Sequence, residues 1–295
     1  MKFIEKASGW LLAVGLAIAV LFAFTYLDVF IITGFRLAGV NTAIYRGIVS
    51  LTAALVVTIV FGLFFFICKK LKKPLLQVKK ISAVDIGLVI IIAIGMLGFV
   101  KTFIYVSDKI SEYIKSLSEQ MTEYRESVDR YSVTKQEIVP LWDSLVYLFS
   151  LCFVVPIEEE LVFRGAMFGV LKQKMNPAAA MLISAVIFGI MHRVSIHTAY
   201  ALVCGLILCA CYYYTESLIA NVIIHAVFNI LGSGLGDLLK LQEFGVAPAA
   251  RLQVLSWISV VSIMMMVPSG IAFLILRYNS KKRRELNSES VAAVE

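Results

Sequence analysis

Apolar positions run along this chain in long unbroken stretches rather than in the alternation of a half-buried strand. Eight such stretches fall near residues 9–34, 46–68, 83–106, 138–171, 177–194, 197–214, 217–235 and 252–277. Runs of 18 or more apolar residues predict helices that rise about 1.5 Å per residue and can cross a hydrocarbon layer of about 30 Å. A transmembrane barrel would instead show segments of about ten residues alternating apolar and polar, and the chain has none. The first stretch follows Lys2 and Lys6 in the manner of a signal peptide. It runs on to about Ile32, well past the 7 to 15 residues of a signal-peptide core, so a retained membrane helix is expected.

The polar segments between the stretches set the expected topology. With eight spans, the N-terminus, the 69–82 loop, the 172–176 loop, the 215–216 turn and the C-terminus share one face. That face carries KKLKKPLLQVKK, then KQK at 172–174, then KKRR at 281–284. An excess of Lys and Arg in short loops marks the cytoplasmic side. Residues 107–137, on the other face, hold seven acids against five bases. Both termini are therefore expected in the cytoplasm.

Within 107–137, Ile110, Ile114, Leu117, Met121, Tyr124, Val128 and Tyr131 recur at spacings of four and three. This heptad stripe on a charged helix predicts packing on the bundle or in the membrane interface, or else a coiled-coil surface for a partner or a second copy. The expected organisation is an N-terminal unit of membrane helices plus this amphipathic helix (1–137), a helical core (138–278), and a basic, disordered cytoplasmic tail (279–295).

Composition narrows the class. Hydrophobic residues make up 60% of the chain and charged residues 16%, against about 45 to 50% and about 25% in soluble domains. The net charge of +7 is concentrated beside the spans, which fits membrane insertion and not nucleic-acid binding. The five cysteines, Cys68, Cys152, Cys204, Cys209 and Cys211, lie in or at the ends of apolar spans with no CxxC pair, and read as reduced packing residues.

Candidate chemistry stands out against this background. The fourth stretch contains PIEEELVFRG, 156–165, and a charge at mid-span costs roughly 2.5 to 3.5 kcal/mol. Glu160 and Arg164 are four apart and can pair on one helix face. Glu159 is rotated about 100° from Glu160, which leaves a carboxylate for chemistry. Of three histidines, His192 and His225 fall inside apolar stretches, and His225 shares a face with Asn229; His197 is expected in a solvated loop. Counted along ideal helices, Glu159, His192, His225 and Asn229 lie roughly 20, 24, 14 and 20 Å from the cytoplasmic side. The depths predict one polar intramembrane cavity.

Glu159-Glu160-x-x-x-Arg164, Phe188-x-x-x-His192 and His225-x-x-x-Asn229, in this order on three hydrophobic stretches, resemble the signature of the type II CAAX prenyl protease and bacteriocin-processing (CPBP, or Abi) family. The likeness covers 159–229; Glu158 is an addition, and Arg164 sets the register. It implies an intramembrane endopeptidase in which Glu159 and His192 activate water, His225 and Asn229 hold the oxyanion, and Glu160, Arg164 and Phe188 support the helix and its charge balance. It implies no cofactor; were a metal used, Glu159, His192 and His225 are the ligands on offer. Substrates would be membrane-associated peptides or proteins, lipidated or CAAX-like, in a bacterial plasma membrane.

Other chemistries are less well served. The chain has no HExxH and no GxSG, and Gly234-Leu235-Gly236-Asp237 matches GxGD without its Tyr-Asp partner. A non-catalytic scaffold or bacteriocin-immunity protein is the alternative reading of the same motifs. A proton-coupled transporter lacks the repeated halves expected of that class.

Overall fold

The computed structural model describes residues 2–131 and 139–292. They are nearly all helical, with no strand among them and one isolated antiparallel bridge, Val78 to Ser217. Helices α1 (Lys2–Leu37), α2 (Arg46–Lys70), α3 (Ala83–Ser111) and α4 (Lys115–Tyr131) precede a long interrupted helix. That helix comprises α5 (Leu141–Phe149), a π segment (Ser150–Val154), α6 (Val155–Glu160), a second π segment (Leu161–Phe168) and α7 (Gly169–Leu171). Helices α8 (Pro177–Met191) and α9 (Ser195–Thr215) form a pair. Then come α10 (Leu218–Asn229), a third π segment (Ile230–Gly234), α11 (Leu235–Leu238), α12 (Pro248–Met264) and α13 (Met266–Ala292).

Helix α3 lies against α10, α12 and α13, and the interrupted helix lies against α1, α2 and α10. Ile92, Leu97, Phe163, Phe168, Tyr212 and Ile224 are fully enclosed in this core. The outer faces carry Leu11, Phe30, Leu63, Leu252, Trp257 and Met264 in the open, which suits contact with lipid, where apolar surface carries no penalty. The chain is thus a multi-pass helical membrane protein.

Five helices among the described residues are long and apolar enough to cross a membrane, and six if α12 and α13, bent by 49°, form one span. The expected count of eight is not reached, for local reasons. The 138–171 stretch is interrupted by π turns, and α8 has only 15 residues, about 22 Å at the usual rise.

The connections expected on one face do meet. Gln77 accepts from Lys172 Nζ at 2.9 Å and its backbone N–H donates to the Tyr212 hydroxyl at 2.8 Å. Lys79 pairs with Glu216, which also faces Arg284 at 3.4 Å. Burial alone would raise the Glu216 carboxyl, but hydrogen bonding and charge from Lys79, with Arg284 and Lys172, hold it below its ordinary value of 4.5. A lowered folded-state pKa means that this contribution is present above the ordinary value and lost as the pH falls through the folded one. Because Lys79 is largely exposed, the contribution should stay below about 1 kcal/mol. Melting in detergent between about pH 6 and pH 3 should therefore show wild type losing a small margin over Glu216→Gln; an unchanged margin would contradict the ion-pair cluster.

The tail expected to be disordered instead continues as α13 through Ala292, with 293–295 outside the described residues. Two arginines anchor it: Arg283 bonds Asp85 at 2.8 Å, and Arg284 bonds the Tyr213 hydroxyl at 2.7 Å with its guanidinium over that ring. On the opposite side, the predicted 107–137 helix divides. Residues through Ser111 end α3, a turn follows, and α4 begins at Lys115; 132–137 lie outside the described residues, as does the Tyr131 side chain. Met121 is 2% exposed and Tyr124 meets Tyr200 of α9 edge-on at 6.4 Å, so this part of the stripe packs on the bundle.

Helix α2 has no capping side chain of its own at Tyr45. The fully buried Asp143 of α5 supplies one, accepting from Gly47 N at 2.7 Å and Ile48 N at 3.0 Å. Asp143→Ala should cost about 1 to 2 kcal/mol, as loss of a cap does, measured as a lower melting temperature in detergent.

Candidate active site

The interruptions of the helix bracket the polar residues. Pro156 has no N–H to give and its ring presses on the carbonyl one turn back, and the turn before it is the first π segment, Ser150–Val154. The second π segment begins directly after Glu160 and the third directly after Asn229. Single-turn π insertions mark functional positions in many helices. At Gly234 an added Cβ would collide with Cys152 Sγ, so glycine lets the first and third π segments touch. This explains Gly234 without a GxGD site; Asp237 is paired with Lys240 at 2.8 Å.

The three glutamates, stepped about 100° apart, enter three environments. Glu158 is buried at 6% exposure, the Glu159 side chain is 22% exposed, and Glu160 is fully enclosed. Glu160 is the hub. Its Oε1 accepts from Arg164 Nη1 at 2.9 Å and from His225 Nδ1 at 2.9 Å, and its Oε2 accepts from Asn221 Nδ2 at 3.0 Å. Arg164, fully buried, lays its guanidinium over the Phe188 ring at 4.4 Å. Its Nε and Nη2 have no hydrogen-bond acceptor among the described residues. The aromatic face is the partner on that side.

These bonds assign the imidazoles. Glu160 can only accept, so His225 donates from Nδ1 and turns Nε2 outward, 3.6 Å from Glu159 Oε2. His192 Nδ1 is 2.9 Å from the Phe188 carbonyl; a carbonyl only accepts, so Nε2 of a neutral His192 carries the lone pair. Both imidazoles lie against Phe188, with ring centroids 4.9 Å and 6.4 Å away. Asn229 gives one amide hydrogen to the Leu151 carbonyl in the first π segment, at 2.9 Å, and keeps the other.

Several expectations need revising. His192 is not inside its span: it caps the end of α8 and precedes a turn in which Arg193 has φ +62°. His225 Nε2 stands 3.6 Å from Glu159 Oε2, and no ion pair or hydrogen bond joins His192 to Glu159 among the described residues. His197 is not in an open loop. It lies in the first turn of α9, partly buried, 4.2 Å from the His192 ring and stacked on Tyr200 at 4.7 Å. The polar groups gather by direct contact around Glu160, and the expected open cavity is not shown. Glu159, His192 and His225 do not form a group placed to hold a metal ion among the described residues.

Asn221 escaped the sequence analysis. It is fully buried and donates to both Glu160 and the Leu208 carbonyl. The signal was present: Asn221, His225 and Asn229 recur every four residues on one face of an apolar helix.

Fold and site together define a helical membrane protein with a buried, hydrogen-bonded cluster of one glutamate, an arginine, a histidine and an asparagine, and a second, partly open glutamate beside it. Residues 141–231 match the Rce1-like family model, described as type II CAAX prenyl endopeptidase Rce1-like. The matched segment contains all three motifs, so the resemblance is shown for this part of the chain. No curated protein and no solved structure gives a match.

Proposed function

We propose that this protein is an intramembrane endopeptidase that hydrolyses peptide bonds of membrane-associated proteins or peptides, with Glu159 as general base. The observation that carries the reading is the division of labour between adjacent glutamates. Glu160 is saturated by Arg164, Asn221 and His225, whereas Glu159 is partly open and faces His225 Nε2.

Peptide hydrolysis needs a water deprotonated as it attacks, and donors aimed at the oxygen that gains charge. Glu159 takes the proton of a water lying on its open side. The Nδ1–H of His225 is held by Glu160, which leaves its Nε2 edge and the second Asn229 amide hydrogen to turn to the oxyanion. The bond to Glu160 orients the imidazole as the carboxylate of a catalytic triad does. His192, with Nε2 bare, accepts and returns a proton on the rim. The family match supports a protease of CAAX type. A plasma-membrane enzyme with both termini in the cytoplasm fits the basic face formed by 69–82, Lys172 and Arg284.

The test compares peptide products in membranes containing wild type or Glu159→Gln at equal abundance. Products formed by wild type alone support the proposal and identify substrates; identical profiles would remove it in favour of a non-catalytic scaffold.

A further inference from the structure

On the basic face, away from the glutamate cluster, a groove of about 380 Å³ opens between the end of α9 and α13. Its lining includes Tyr214, Arg277, Ser280, Lys281, Arg284 and Glu285. Three cations face one acid. Arg284 is committed to Tyr213 and Glu216, and Lys281 reaches Glu285 only at 3.7 Å. Arg277 has no ion-pair or hydrogen-bond partner among the described residues. Ser280, 4% exposed as a residue, lines the groove one turn beyond Arg277. A groove with three cations against one acid suits an anion with several acceptor oxygens.

The surface beside it narrows the choice. Val267, Ile271 and Leu274 are exposed on the turns of α13 before Arg277, on the side of Lys281 and Glu285, and Phe273 packs edge-on against Tyr214 at 5.6 Å. Acceptor-seeking groups thus sit directly beyond a bare apolar band. A free phosphate would use only the first zone. We propose that this groove binds the phosphate of an anionic glycerophospholipid, with the acyl chains along Val267, Ile271 and Leu274. Basic pockets between membrane helices recognise headgroups in this way, and the volume lies within the range of small-ligand sites.

The full-length protein in neutral detergent is titrated with short-chain phosphatidylglycerol, short-chain phosphatidylcholine and inorganic phosphate, and bound ligand is counted by native mass spectrometry. Wild type should retain phosphatidylglycerol over phosphatidylcholine. Arg277→Gln with Lys281→Gln should weaken that retention by about tenfold or more. Lys73→Gln with Lys174→Gln, elsewhere on the same face, should leave it unchanged. Equal loss in both double variants would reduce the effect to general surface charge and overturn the site, as would undiminished retention in the first. Displacement of the lipid by inorganic phosphate at matched concentration would overturn the lipid assignment and leave a free-phosphate site.

Discussion

Glu159→Gln should lower peptide cleavage by about 10² to 10⁴-fold, the range of a general-base contribution, while leaving the melting temperature in detergent within a degree or two of wild type. The second half follows from geometry. Glu159 makes no hydrogen bond among the described residues, its nearest partner being His225 Nε2 at 3.6 Å, and its side chain is 22% exposed. A neutral amide of the same shape fits the site but cannot take a proton from water. Purified wild type and variant, compared on membrane peptides released by the wild-type protein, provide the measurement. An active Glu159→Gln enzyme would eliminate Glu159 as base.

Removing one member of the buried pair should cost stability as well as activity. Arg164→Met leaves the Glu160 carboxylate enclosed with only His225 and Asn221 for partners, and Glu160→Gln strands the guanidinium on Phe188. Breaking a buried ion pair on one side costs about 3 to 5 kcal/mol, so both variants should melt far below wild type or fail to accumulate. Both should also lose activity, because Glu160 orients His225. Replacing both members together, Glu160→Gln with Arg164→Met, removes both charges and should recover part of the stability without the activity, since the Nδ1 partner of His225 is then neutral. The measurement is melting in detergent beside cleavage for all three variants. If Glu160→Gln were as stable as wild type, the hub assigned to Glu160 would be wrong.

The contrast between neighbouring glutamates shows how far sequence reasoning reached. Glu160 and Arg164 four residues apart, and His225 with Asn229 at the same spacing, are local relationships; helix periodicity alone makes them share faces. Which imidazole would stand beside Glu159 was not local. It depends on where α8 stops, and the turn at 192–194 moved His192 to the helix end while α10 carried His225 past the glutamates. Asn221 was legible as a third member of a four-residue repeat, but its role required knowing that Leu208 and Glu160 lie on either side of it. Asp143, which caps a helix 96 positions away, had no sequence signal beyond being an acid near the start of an apolar stretch.

By itself the sequence determined the membrane class, the helical architecture, the basic face and the three polar motifs, because each depends on composition or on spacing within one helix. The tertiary structure decided the rest: the number of helices long enough to span, the helical course of the tail, the position of His225 beside Glu159, and the enclosure of Glu160. Those outcomes rest on helix ends, π insertions and the packing of segments distant in sequence. Hydrogen bonds made across the bundle set them, and periodicity along one helix carries no record of its neighbours.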